Sequence, residues 1–141
     1  MRVYPDANIY VTYLLGERGD EQACEFFEKS VSCLFGIVAS KDVFSEVQMA
    51  CENRAALLIR KLFGDLKRAN KLYMAERSTE DSYKAEELNA KTGGIFGVKD
   101  FKHAILAAKH ADVFVTNDYE FLGTASKLTR AMPLSEYMRK L

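Results

Sequence analysis

Apolar and polar positions fall in blocks along the chain, and the blocks switch between two periods. Arg2 to Pro5 reads as a short strand cut off by Pro5 and Asp6. Ala7 to Leu15 reads as a helix closed by Gly16. Asp20 to Ser32 carries Ala23, Phe26, Phe27 and Val31 at helical spacing. Cys33 to Ala39 is apolar throughout, the pattern of a strand covered on both faces. Ser40 suits the N-cap of a helix from Lys41 to about Asn53. The next stretch, Arg54 to about Arg77, predicts one long helix with a stripe at Ala55, Leu58, Leu62, Leu66, Ala69 and Tyr73. Ser78-Thr79-Glu80-Asp81 opens a further helix to about Lys91. Thr92 to Gly97 is a loop, Asp100 to His110 an Ala-rich helix, and Val113 to Thr116 a strand. Leu128 to Met132 predicts a last short strand, and Pro133 with Ser135 a terminal helix.

Strands alternating with helices predict an α/β domain, with a parallel sheet covered by helices on both faces. A chain of 141 residues fits one domain, residues 1–141. In such sheets ligands bind beyond the carboxyl ends of the strands, which says where to look for chemistry.

Composition narrows the picture. The 20 Lys+Arg cancel the 20 Asp+Glu, which excludes a bulk-basic nucleic-acid binder; attraction to phosphate has to come from a local patch. An apolar fraction of 48% excludes a disordered chain. No apolar run approaches the roughly 18 residues of a membrane span, and Met1 to Asp6 does not open a secretory signal. A cytoplasmic protein is the expectation. Cys24, Cys33 and Cys51 form neither a disulfide framework nor a zinc spacing and are expected as reduced thiols. Neither His103 nor His110 has a partner at ligand spacing, which argues against a zinc site built on histidine.

Four carboxylates stand in unusual places. Asp6 and Asp118 each fall just past the end of a predicted strand, at the carboxyl edge of the sheet. Glu46 interrupts the helix face marked by Val43, Val47 and Ala50. Asp100 heads the face marked by Ala104, Ala107, Ala108 and Ala111. Each has a structural explanation as well: Asp6 and Asp100 as N-caps, Asp118 as a turn residue, and Glu46 as an exposed side chain if the helix phase shifts by one. Together, however, four converging acids repel one another unless a cation holds them. Carboxylates with water suit Mg²⁺ or Mn²⁺, and such clusters serve phosphodiester cleavage.

These residues resemble the PIN-domain family, in its prokaryotic VapC-like form. Val3-Tyr4-Pro5-Asp6-Ala7-Asn8-Ile9-Tyr10 is similar to the family's strand followed by D-x-N. Phe44-Ser45-Glu46-Val47 carries the second acid. Lys99-Asp100-Phe101-Lys102-His103-Ala104 is similar to the third motif, and Val113-Phe114-Val115-Thr116-Asn117-Asp118-Tyr119-Glu120-Phe121 to the fourth. Asn117 stands where many members carry Arg. The resemblance implies a three-layer α/β/α fold and a Mg²⁺- or Mn²⁺-dependent endoribonuclease that uses a metal-activated water. It makes Asp6, Glu46, Asp100 and Asp118 the catalytic, metal-holding acids, with Asn8 and Thr116 in support and Glu120 as a further acid. It also implies RNA as substrate, an antitoxin protein as partner of toxin members, and pairing into homodimers.

From Arg54 to Lys71, the six bases Arg54, Arg60, Lys61, Lys67, Arg68 and Lys71 face the single acid Asp65. The stretch suits a phosphate backbone, and equally a solvated helix face. Tyr10, Tyr13 and Phe27 suit a partner surface or the core. Two other function classes compete with the nuclease. A catalytically silent PIN-fold module would bind RNA or protein without cleaving it. A phosphoacceptor receiver-like domain would need paired acids at the first strand, where this chain has Asp6 alone.

Overall fold

The computed structural model describes residues 1–17, 20–32, 34–52 and 56–141. The elements follow in the order β1 (Arg2–Pro5), α1 (Ala7–Leu15), α2 (Asp20–Val31), β2 (Gly36–Ser40), α3 (Lys41–Cys51), α4 (Ala56–Arg68), β3 (Leu72–Ala75), α5 (Thr79–Lys91), α6 (Val98–His110), β4 (Val113–Val115), α7 (Tyr119–Ala125), β5 (Ala131–Met132) and α8 (Leu134–Arg139). The five strands form one sheet in the order β3-β2-β1-β4-β5, and every pairing is parallel. Helices cover it in an α/β/α arrangement. The chain winds outward from β1 to β2 and β3, then crosses back to β4 and β5. The direction reverses at the β1–β4 pair, where open parallel sheets place their ligands.

β2 is buried along its whole length, as its unbroken apolar run requires. It begins at Gly36, three residues later than the sequence pattern suggests, and Leu34 before it is exposed. Below the sheet, Phe26, Phe27, Phe35 and Tyr137 pack as edge-on or tilted rings with centroids 4.9–5.8 Å apart. Tyr10 and Phe27 are buried in this core, and Tyr13 packs half-buried against it, with the Tyr10 and Tyr13 rings each 5.1 Å from Phe27. Cys24 is a half-buried thiol and Cys51 is buried; Cys33 lies outside the described residues.

The largest departure from the sequence pattern is the stretch expected as one helix from Arg54 to Arg77. Its described part divides into α4 and the edge strand β3. Asn70 ends the helix: it adopts a left-handed conformation (φ 57°), and Lys71 N–H donates to the Leu66 carbonyl at 2.8 Å, closing a Schellman-type turn. Leu72–Ala75 then pairs with Ile37–Ser40. The buried stripe of α4 is Ile59, Leu62 and Leu66, whereas Leu58 is 48% exposed and Tyr73 belongs to the strand. Arg54 and Ala55 lie outside the described residues.

Other differences are smaller. α3 buries Val43, Val47 and Cys51 in place of Ala50. α6 is wedged between α5, β1 and β4 and buries a wider arc, Phe101 and His103 through Ala107, with Ala108 left exposed. The last strand shortens to Ala131–Met132. α7, absent from the sequence pattern, follows Asp118. Among the described residues no helix is long and apolar enough to cross a membrane.

Candidate functional site

Four elements deliver the acids to one edge of the sheet. Proline ends β1 and Asp6 follows it, its N–H donating to the Val115 carbonyl at 2.8 Å and so extending the β1–β4 ladder by one bond. Asp6 is the N-cap of α1, with Oδ1 accepting from Ala7 N–H at 2.8 Å. Its Oδ2 accepts the Thr116 hydroxyl at 2.8 Å and lies 3.4 Å from Asn8 Nδ2. Asn8 Nδ2 also donates to Thr116 Oγ1 at 3.2 Å, and its Oδ1 accepts from Asn117 N–H at 3.3 Å. Thr116 Oγ1 accepts from Asp118 N–H at 3.1 Å. The ends of β1 and β4 are thus tied together through side chains.

Asp118 caps α7, accepting from Phe121 N–H at 3.2 Å. Asp100 does not cap its helix; the N-cap position of α6 is Gly97, and Asp100 lies in the first turn. Phe96, Phe101 and Phe121 pack edge-on at 5.2–6.3 Å, clamping the start of α6 to the start of α7. That aromatic cluster fixes Asp100 relative to Asp118. Glu46 sits on the flank of α3, its side chain 23% exposed, next to the buried face and not within it.

The side chain that sequence spacing missed is His103, one turn beyond Asp100 on α6 and 1% exposed. One ligand atom from each of Asp6, Glu46 and His103 falls within a 4.8 Å span. No spacing rule finds this group, because it joins β1, α3 and α6 across the fold. Asn117 was missed too: its Oδ1 accepts from Leu134 N–H at 3.1 Å, fastening the end of β4 to α8. Glu120 is exposed on the first turn of α7, outside the hydrogen-bonded group. Arg60, Lys61, Lys67 and Arg68 are exposed on α4, with Arg68 paired to Asp65, and Lys71 follows the helix. Lys67 lines an apolar cavity of about 500 Å³ between α3, α4 and β3, whose lining includes none of the four acids.

The electrostatics reflect the crowding. Burial pushes Asp6 up, against the relief given by His103 and the hydrogen bonds from Thr116 and Ala7. Half-buried Asp100 is pushed up to about 6, first by burial and then by repulsion from Asp6 and Asp118. Burial opposes a charged His103, but Glu46 and Asp6 outweigh it and raise its pKa. Three acids from separate elements therefore act on Asp100 at once, together with His103.

A divalent ion fits this donor set. The carboxylates are hard oxygen donors that repel one another without a cation. The Nε2 of His103 adds a buried polar atom with no aligned hydrogen-bond partner.

The PIN-domain model matches residues 3–127, most of the chain and all four acid motifs. The chain belongs to the PIN-domain family. Solved structures share the fold of this PIN domain at low identity. VapBC2 from Rickettsia felis, bound to a promoter DNA fragment, is 19% identical (TM-score 0.59), with 94% of this chain and 98% of that chain covered. VapBC-1 from nontypeable Haemophilus influenzae is 16% identical (TM-score 0.61), with 96% and 99% covered. FitAcB from Neisseria gonorrhoeae is 11% identical (TM-score 0.64), with 94% and 98% covered. Among curated proteins, none matches significantly.

Proposed function

We infer that this PIN domain, acting as one unit over residues 1–141, is a Mg²⁺- or Mn²⁺-dependent endoribonuclease. The observation that carries this reading is the meeting of Asp6, Glu46 and His103, one ligand atom of each within a 4.8 Å span, beside an Asp100 that is pushed up by burial and then by repulsion from Asp6 and Asp118. Acids so arranged are costly unless a cation is part of the working state. PIN domains are for the most part nucleases, which supports the same class of chemistry.

Asp6, Glu46, Asp100 and Asp118 would hold the ion. When bound, it supplies Lewis-acid stabilisation of phosphoryl charge and makes a water acidic enough to serve as nucleophile. Thr116 and Asn8 orient the Asp6 carboxylate by the hydrogen bonds already described. Asp118 is oriented by its cap to α7. Lys99 and Lys102 flank Asp100 on α6 and suit the gripping of phosphates on either side of the scissile bond.

The VapBC and FitAcB structures are toxin–antitoxin complexes, which supports a toxin role with an antitoxin protein as partner. Met49, Leu57 and Leu58 are exposed on α3 and α4 and offer an apolar face for a homodimer. Light scattering on the purified chain would find a dimer.

The test is cleavage of a mixed RNA pool with Mg²⁺ or Mn²⁺, with and without EDTA. Cleavage leaving 5′-phosphate ends, abolished by EDTA and lost in Asp6→Asn and Asp118→Asn, is the expected result. Full activity in both variants would remove the site assignment. Metal binding with no turnover on any RNA would leave the silent binding module.

A further inference from the structure

His103 is the member of this site that a carboxylate-only arrangement leaves unused. Its two ring nitrogens are treated differently by the fold. Nδ1 lies 2.8 Å from Tyr4 Oη, which lies 2.8 Å from Ser40 Oγ. Ser40 Oγ in turn accepts from Val43 N–H at 3.1 Å, as the N-cap of α3. Tyr4 is fully buried on β1, so the chain of hydroxyls running from Nδ1 back to the α3 backbone is rigid.

Nε2 has no such neutral partner; its contact is with the Glu46 carboxylate. It lies 3.1 Å from Glu46 Oε2, at ion-pair distance, yet off the N–H axis, and makes no aligned hydrogen bond. It is a buried nitrogen aimed at Asp6 and Glu46, within the 4.8 Å span that the three side chains share. Donors around one small divalent ion sit about 3–4 Å apart, given bonds of about 2.0–2.2 Å. A small closure of the side chains converts the present arrangement into a ligand set.

Ligating histidines hold their other ring N–H on a fixed acceptor, which sets tautomer and ring orientation. Tyr4 serves that purpose here. With Nδ1–H donating to Tyr4 Oη, the tyrosine turns its own proton to Ser40 Oγ, whose two lone pairs take it and Val43 N–H together. A bound ion would displace the proton that Glu46 and Asp6 favour on this ring in the metal-free protein, leaving the Nε2 lone pair to face the ion between the two carboxylates.

We propose that His103 Nε2 is a metal ligand alongside the Asp6 and Glu46 carboxylates, and that this mixed nitrogen–oxygen set selects Mn²⁺ over Mg²⁺. Imidazole is a softer donor than carboxylate or water and favours first-row transition ions over Mg²⁺. The inference deepens the metal-dependent reading of the same site and rests on it.

The experiment compares Mn²⁺ and Mg²⁺ binding by calorimetry and records pulsed EPR of the Mn²⁺-loaded full chain. Wild type, His103→Gln, Tyr4→Phe and, as a control, His110→Gln are used. Wild type is expected to prefer Mn²⁺ and to show ¹⁴N modulation from a directly bound imidazole, which changes to ¹⁵N in protein made with ¹⁵N-histidine. The signal and the Mn²⁺ preference vanish in His103→Gln and persist in His110→Gln. Tyr4→Phe weakens Mn²⁺ binding by about 10-fold through the lost orienting partner. The isotope arm needs no variant, so it stands even if His103→Gln fails to fold. Saturable Mn²⁺ binding without nitrogen coupling overturns the role of His103 and leaves the carboxylate nuclease in place. Absence of any Mn²⁺ or Mg²⁺ binding overturns both.

Discussion

Asp100 shows how a single carboxyl reports on the whole site. Its pKa of about 6 means that the folded chain holds this proton more tightly than the unfolded chain does. Between the ordinary carboxylate range and pH 6 the unfolded state therefore binds fewer protons, and the stability of the metal-free protein falls as pH rises through that window. Asp6 shifts in the same direction and adds to the slope. Asp100→Asn is expected to stabilise the metal-free protein at pH 7.5 by about 1 kcal/mol, a figure reduced for the half-exposed carboxyl. Urea melts at pH 4.5 and 7.5 check this; equal stability of the variant and wild type at both pH values would count against it. Thr116 is the complementary case. Thr116→Val removes the hydroxyl that donates to Asp6 and is expected to cost about 1 kcal/mol in the same melts.

At the level of elements, the caps are the most readable features. Ser78 and Asp81 form a reciprocal capping box at the start of α5, and Asp81 also pairs with Lys109 of α6. Ser78→Ala should destabilise by about 1 kcal/mol, read as a drop of a few degrees in Tm. Asn70 is the stop signal for α4 that the apolar stripe concealed. Leu72 and Tyr73 continue a helical spacing past it, so periodicity alone runs α4 into β3. Asn70→Val puts a β-branched residue in the left-handed region and should cost about 1–2 kcal/mol, whereas Asn70→Gly should be tolerated. Comparable melting temperatures for the two variants would show that the turn does not depend on that conformation. Gly36 marks the other side of this edge, because a Cβ there would come within 2.5 Å of the Tyr73 ring.

Across the whole molecule, the site exists because the winding direction reverses at β1 and β4, opening a crevice where two strand ends, α3 and α6 meet. An ion held there stabilises the fold by linkage, about 2.7 kcal/mol at a hundred times its dissociation constant, or roughly 5–10 °C in Tm. Mn²⁺ should give that gain at pH 7.5 and much less at pH 5, where Asp100 keeps its proton; equal gains at both pH values would argue against these ligands. The sequence by itself determined the fold class, the boundaries of β1, α1 and α5, and the strand-end positions of Asp6 and Asp118. Those features depend on local period, on proline and on capping chemistry, all of which act over a few residues. Only the tertiary structure decided that Leu72–Ala75 is a strand, because its hydrogen bonds go to β2, more than thirty residues away. Only the tertiary structure brought His103 to Asp6 and Glu46. That meeting depends on Tyr4 and Ser40 holding the ring from β1 and the start of α3, a distance no residue spacing along the chain expresses.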